Sequence, residues 1–179
     1  MAERTATRLW GMRAAYLGLT LLILFSLLLP LSLVPNRIAP PDVLVALTFA
    51  WALRRPDFVP ALSIAAAVLL ADLLLGRPPG LWAVLVLLAA EWLKSQDRRL
   101  RENTFFAEWL TVAVALMAIT ILYRLVLGVL IVERGTLFLM TMQFALTVMV
   151  YPIVTALSAL LFGVRKSAPG EYDPVGRSL

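Results

Sequence analysis

Six long apolar runs, separated by short segments that carry most of the charges, limit how this chain can fold. The runs span residues 14–34, 38–53, 58–75, 81–93, 109–132 and 135–164. Hydrophobic residues make up 61% of the 179 residues, whereas a soluble domain has about 45–50%. Because a membrane-crossing helix needs about 20 apolar residues, the sequence predicts an all-α, polytopic membrane protein with six transmembrane helices. Residues 1–166 are predicted to form a single domain, and residues 167–179 a flexible cytoplasmic tail.

The composition argues against an enzyme. The chain has no cysteine and no histidine, which removes thiolate metal sites, Ser-His and Cys-His nucleophile pairs and the usual proton shuttle near neutral pH. No P-loop, glycine-rich dinucleotide motif, G-x-S-x-G or H-E-x-x-H sequence occurs. We therefore predict no catalytic residue, no cofactor and no metal site. The net charge of +5 indicates membrane topology and contact with anionic lipid, with no nucleic-acid partner.

The distribution of lysine and arginine predicts the orientation. Twelve lie in the N-terminal segment and in every second segment after it, against three in the other turns, Arg37, Arg77 and Arg134. Since basic residues favour the cytoplasmic side, both termini are predicted to be cytoplasmic. Residues 94–108 are predicted to form a polar cytoplasmic loop. The runs at 38–53 and 81–93 are short, so tilted and re-entrant arrangements both remain open for them.

Charged residues inside the predicted spans are the candidate functional residues, since each costs about 2.5–3.5 kcal/mol near the bilayer centre. Asp72 and Arg124 lie roughly 21–22 Å from the inner ends of their helices, and Asp42 roughly 17 Å. This shared depth predicts an intramembrane polar cluster in which Asp72 pairs with Arg124 and Asp42 lies nearby. A structural clamp between helices is the favoured interpretation, and a ligand or partner site is the alternative.

Small residues recur every four positions in several runs, a spacing that lets helices approach closely in lipid. In the third run they are Ser63, Ala67 and Ala71, which we predict to pack against neighbouring helices. Near the start of the first run they form two pairs, Gly11 with Ala15 and Ala14 with Gly18, which suit either internal packing or a partner helix. Pro152 is predicted to kink the sixth helix.

Three segments resemble the family of the rod shape-determining membrane protein MreD. They are residues 41–47 (PDVLVAL), 53–56 (LRRP) and 71–81 (ADLLLGRPPGL), and the pair Tyr151-Pro152 also matches. Asp42 and Asp72 correspond to acidic positions of the family pattern. The doubled proline at 78–79 and the arginines Arg77 and Arg124 depart from it.

The resemblance implies a non-enzymatic scaffold in the bacterial inner membrane, part of the rod (elongation) complex that directs side-wall peptidoglycan synthesis and cell shape. Its implied partner is MreC and, through MreC or directly, MreB, RodA and a class B penicillin-binding transpeptidase. The outer turn Arg77, Pro78, Pro79 and Gly80 is predicted to face a partner. The family's bundle also looks like the substrate-binding S component of energy-coupling-factor transporters, so a small-molecule-binding subunit is the alternative function.

Overall fold

A computed structural model describes residues 2–29, 39–101, 104–130 and 136–164, with the backbone alone described for 2–6 and 97–101. These residues form six α-helices and one short 3-10 helix, Pro56–Phe58, and contain no strand. The helices are α1 (Ala2–Leu28), α2 (Val43–Arg54), α3 (Ala61–Leu74), α4 (Leu81–Arg101), α5 (Phe105–Val129) and α6 (Leu137–Phe162). The predicted all-α fold is confirmed for this part of the chain. The predicted tail, Arg37 and Arg134 lie outside the described residues.

Three helices are long and apolar enough to cross a membrane, half the predicted number. They are residues Thr7–Leu28 of α1, α5 and α6. α2 and α3 are apolar but have 12 and 14 residues, or about 18 and 21 Å at 1.5 Å per residue, against a hydrocarbon core of about 30 Å. α4 is long, but its second half is highly charged.

The predicted polar loop at 94–108 is mostly helical, which corrects that prediction. α4 continues to Arg101, and α5 begins at Phe105. The charged half of α4 contains no glycine or proline and is built mainly of residues that tolerate a helix well. Lys94 also bonds Glu91 one turn earlier, with 2.7 Å between Nζ and Oε1, a spacing that supports helices.

α2 is the central helix of the bundle. Its ten residues from Leu44 to Leu53 are all buried, and it packs against α1, α4 and α6. A helix that is apolar on every side is stable only when other elements surround it. Aromatic rings pack around its second half, where Trp51 of α2 lies 5.9 Å from Tyr16 of α1 between ring centroids.

The contacts of α2 with α6 define the two ends of the bundle. The backbone N–H of Asp42, at the start of α2, donates to Thr147 Oγ1, while Trp51 Nε1, near its end, donates to Ser158 Oγ, eleven residues further along α6. The two helices therefore run in the same direction. We call the end of the bundle where α2 begins the Asp42 end, and the opposite one the Arg54 end.

The remaining helices alternate in direction along the chain. Trp82 at the start of α4 packs edge-on against Tyr123 late in α5, with 5.2 Å between the ring centroids, so these two helices are antiparallel. Arg13 in the first half of α1 donates from Nε to the carbonyl of Asp57, beside the end of α2. α1 therefore starts at the Arg54 end, where α6 finishes.

Candidate functional site

Each end of the buried helix α2 carries an ion pair. Asp42 caps its N-terminus and pairs with Arg77, and Arg54 in its last turn pairs with Glu108. An acidic group at a helix N-terminus and a basic group at its C-terminus both interact favourably with the helix dipole. The two pairs lie about 18 Å apart along the axis, and they differ in geometry.

At the Asp42 end the pair is loose. Asp42 Oδ1 accepts from the backbone N–H of Val45 at 3.1 Å, which is the helix cap. Its Oδ2 lies 3.5 Å from Arg77 Nη1, and the two side chains are 12% and 27% exposed. The guanidinium of Arg77 also lies over the ring of Trp82, 5.8 Å from its centroid.

Asp72 holds the turn between α3 and α4 together. Its buried carboxylate accepts through Oδ2 from the backbone N–H groups of Gly80, at 3.2 Å, and Ala83, at 3.0 Å. It thereby caps α4, which follows a glycine that has no capping side chain of its own. Its backbone carbonyl accepts from Arg77 N across Gly76, whose φ of 65° ends α3.

The predicted ion pair between Asp72 and Arg124 does not form. Arg124 Nη1 lies 2.9 Å from Met140 Sδ on α6, whereas Asp72 bonds the backbone of the α3–α4 turn. The position of each residue along its helix correctly predicted the end of the bundle at which it lies, but it did not predict the side of the helix on which it lies. Tyr123, one residue earlier, faces Trp82 on α4, so Arg124 is turned about 100° away from it. The basic side chain in the cluster is that of Arg77, which pairs with Asp42, while the backbone N–H of Arg77 donates to the backbone carbonyl of Asp72.

The predicted partner-facing turn is partly folded inward. Pro79 is exposed, while Arg77, Pro78 and Gly80 are half-buried. Gly80 has a φ of 86°, a backbone conformation that favours glycine. The turn therefore presents proline outward and its arginine towards the bundle.

The small residues of α3 lie against neighbouring helices. Ala67 and Ala71 are buried and Ser63 is half-buried, and Ala71 packs in a cluster with Leu24 of α1 and Leu44 of α2. Ser63 is therefore nearer the surface of the bundle than the two alanines that follow it.

The small residues of α1 divide between two faces. Ala15 packs towards the core, while Gly11, Ala14 and Gly18 are exposed. A Cβ atom added at Gly11 or Gly18 would meet nothing within 4 Å. We call these three exposed positions the small face of α1.

Pro152 lies inside α6 and leaves one carbonyl without its helical donor. A proline has no N–H and cannot bond the carbonyl four residues earlier, here that of Val148. Trp109 of α5 supplies the missing donor, since its Nε1 lies 2.9 Å from Val148 O. The indole of Trp109 on the neighbouring helix thus replaces the hydrogen bond that Pro152 removes from α6.

The Arg54 end holds a buried network that the sequence did not reveal. Arg54 Nε donates to Glu108 Oε1 at 2.9 Å and Nη2 approaches Oε2 at 3.5 Å, and Tyr151 Oη donates to Glu108 Oε1 at 2.9 Å. Glu108 is fully buried and the side chain of Arg54 is 11% exposed. The apolar residues Phe105 and Phe106 before Glu108 were the available signal, since they indicate that the helix begins before the acid.

Two adjoining cavities lie at the Asp42 end. One, of about 160 Å³, lies among α4, α5 and α6. The other, of about 200 Å³, lies among α1, α2 and α3 and has mainly aliphatic walls. They share four lining residues, Asp42, Arg77, Trp82 and Gln143. Within the described residues, no group of three acidic, histidine or cysteine side chains is placed to hold a metal ion.

Comparison of the chain with known proteins gave no match to any protein-family model, curated protein or solved structure.

Proposed function

We propose that this protein is a six-span scaffold of the bacterial rod complex, which binds MreC in the inner membrane and helps to position or activate side-wall peptidoglycan synthesis. The observation that carries the proposal is the combination of a wholly helical, apolar bundle with the family-like segments at 41–47, 53–56 and 71–81. Those segments form the start of α2, its end, and the α3–α4 turn. In this structure they supply three of the four residues of the ion pairs of α2, namely Asp42, Arg54 and Arg77, and the cap of α4, Asp72.

The outer surface supports a bundle immersed in lipid. Every helix that surrounds α2 exposes large hydrophobic side chains, and α2 exposes none. On α3 and α4, which are not long apolar helices, the exposed residues include Leu62, Leu73, Val84 and Leu88. Exposed apolar surface on this scale is typical of contact with a membrane. We therefore include α2, α3 and α4 in the spanning bundle, with α2 reaching only part of the way.

The small face of α1 is the surface that we assign to a partner helix. In lipid, small residues at this spacing let two helix backbones approach closely. Among the described residues, nothing lies within 4 Å of a Cβ added at Gly11 or Gly18, and Ala14 is exposed, so this spacing is not used for packing in that part of the chain. Of the three long apolar helices, α1 also has the smallest buried share, 17% of its apolar window against 33% in α5 and 28% in α6. A single-span partner such as MreC has the geometry to pack there.

A matched pair of substitutions tests this assignment. Ala14→Leu fills the small face of α1, whereas Ala66→Leu places the same side chain on an exposed position of α3. Both keep a good helix former. We expect Ala14→Leu to reduce the amount of MreC that co-purifies in mild detergent at least about 10-fold, the effect of about 1.4 kcal/mol, and Ala66→Leu to leave it unchanged.

The same purification distinguishes the alternative function. Recovery of a single-span partner with a periplasmic coiled coil supports the scaffold. Recovery of an ATPase with its transmembrane coupling subunit contradicts it and supports a transporter S component. Depletion in a rod-shaped host is a second measurement, since loss of rod shape is expected for the scaffold and normal shape would overturn it.

A further inference from the structure

The two ion pairs of α2 differ in how firmly they hold their arginine. At the Arg54 end the guanidinium makes two contacts with Glu108, the nearer at 2.9 Å, and the acid also accepts from Tyr151. At the Asp42 end, Arg77 has one contact with Asp42 at 3.5 Å, beyond the 2.7–2.9 Å of a strong charged hydrogen bond. Arg77 therefore keeps most of its hydrogen-bonding capacity for another acceptor.

A second donor beside Arg77 has no partner at all among the described residues. Trp82 is 9% exposed and lines both cavities, and its Nε1 is buried without an acceptor. A buried donor left unsatisfied costs about 1–3 kcal/mol, so native proteins seldom leave one without an external partner. The indole N–H thus indicates a ligand with an acceptor atom at the junction of the cavities.

The local charges favour an anionic acceptor. Asp42 and Asp72 each sit at a helix N-terminus and accept from its backbone N–H groups, an arrangement that offsets their negative charge. Arg77 has only the 3.5 Å contact with Asp42 to offset its charge, and Arg124, which lines neither cavity, contacts the thioether of Met140. Met140 itself lines the first cavity. Because the helix termini offset the two acids, the loosely held guanidinium of Arg77 and the indole N–H of Trp82 together favour an acceptor that carries negative charge.

The residues that line the two cavities indicate an amphipathic ligand. The wall of the second cavity is mainly aliphatic, with Leu24, Leu27, Leu44, Val68 and Leu75, while the shared junction is polar. Guanidinium and indole N–H groups together suit the oxygens of a phosphate. We propose that the Asp42 end binds a phospholipid, whose phosphate accepts from Arg77 and Trp82 and whose acyl chain enters the second cavity. This site is independent of the scaffold role.

The indole N–H signal of Trp82 provides a direct test. In ¹⁵N-labelled protein in maltoside micelles, the five tryptophans give five indole signals, and Trp82→Phe identifies the one from Trp82. Titration with lysophosphatidylglycerol is expected to shift this signal downfield and to saturate. The signal of Trp92, exposed on the same helix, is expected not to move.

Two further probes separate the contribution of the phosphate from that of the acyl chain. Monoacylglycerol has the chain without phosphate, and glycerol 3-phosphate has the phosphate without the chain. We expect neither to saturate the Trp82 shift in the range where the lysophospholipid does. If monoacylglycerol shifts the Trp82 signal as strongly as the lysophospholipid does, the phosphate contact is overturned. If glycerol 3-phosphate does so, the lipid assignment is overturned. If the lysophospholipid leaves the Trp82 signal of the wild-type protein unmoved, the site itself is overturned.

A matched arginine pair tests the role of Arg77. Arg77→Gln is expected to weaken lysophosphatidylglycerol binding roughly 10- to 100-fold, the equivalent of about 1.5–3 kcal/mol for a charged hydrogen bond. Arg13 also lies over a tryptophan, 5.1 Å from the ring centroid of Trp10, but at the other end of the bundle. Arg13→Gln is expected to leave binding unchanged, and equal losses in both variants would overturn the assignment.

Discussion

Asp42 and Asp72 have the same physical role at two places, because each carboxylate accepts from backbone N–H at the start of a helix, Asp42 at α2 and Asp72 at α4. Those N–H groups have no partner within their own helices. An acid in an apolar bundle therefore need not find a basic side chain, since a helix terminus can supply donors to one carboxylate oxygen, as it does to Asp72 Oδ2, while Oδ1 is buried without a partner among the described residues. This is why the charge-pairing argument from the sequence identified the right acids and assigned the wrong partner to Asp72.

Substitutions of Asp72 separate capping from ion pairing. Asp72→Ala leaves the N–H groups of Gly80 and Ala83 without an acceptor and is expected to lower the free energy of unfolding by about 1–3 kcal/mol. Asp72→Asn retains a capping oxygen and is expected to cost less than half as much. Denaturation in mixed micelles, followed by circular dichroism, measures both.

Arg124→Leu is the comparison variant for these measurements. It removes the arginine that the sequence had paired with Asp72, yet its observed contact is with Met140. We expect it to cost much less than Asp72→Ala. If Arg124→Leu lowers the free energy of unfolding as much as Asp72→Ala does, the result would support an ion pair between the two residues and contradict the capping role of Asp72.

At the scale of elements, the helix boundaries explain what the sequence missed. Apolar runs located all six helices, because hydrophobic length is a strong local signal. They did not reveal that α4 extends into the charged residues up to Arg101 or that α5 begins before Glu108. Glu108 is buried only because Arg54 and Tyr151 meet it there, and these partners are distant in the sequence. The network was therefore beyond any local pattern.

The hydrogen bond between Trp109 and α6 predicts that the indole and Pro152 have coupled effects on stability. Trp109→Phe keeps the ring but removes the donor to Val148 O, so it is expected to lower the free energy of unfolding by about 1–3 kcal/mol. Pro152→Ala restores the backbone N–H that bonds the same carbonyl. In the Pro152→Ala background, Trp109→Phe is expected to cost less than half as much.

The control for this cycle is Trp92→Phe, since Trp92 lies on α4 and is exposed. We expect it to have no effect on stability in either background. Additive costs of Trp109→Phe and Pro152→Ala would show that the indole does not substitute for the missing N–H.

At the scale of the whole molecule, alternating helices bring the first half of α1 and the end of α6 to the Arg54 end. The six apolar runs predicted an even number of alternating helices, and the lysine and arginine distribution predicted that both termini are cytoplasmic, which stays a prediction. The sequence could not predict the central place of α2, because its apolar run resembles the others. Only the packing of α1, α4 and α6 around it distinguishes the central helix from the outer ones.

Labelling of single cysteines tests the proposed orientation, since the chain has no cysteine of its own. Thr136→Cys lies at the Asp42 end, before α6, and Ser95→Cys lies on α4 towards the Arg54 end; both positions are exposed. In intact cells, a membrane-impermeant maleimide is expected to label the first and not the second. Lysed cells provide the control, in which both react, and labelling of the second alone in intact cells would invert the orientation.

The buried position of α2 also bears on biogenesis. Its polar groups at both ends are satisfied by Thr147, Ser158 and the carbonyl of Thr155, which follow 101 to 107 positions later. During synthesis, α2 is completed about 100 residues before these partners are added to the chain. The second helix therefore cannot make these contacts until the last one has been synthesised, and a chain truncated before α6 lacks these partners at both ends of α2.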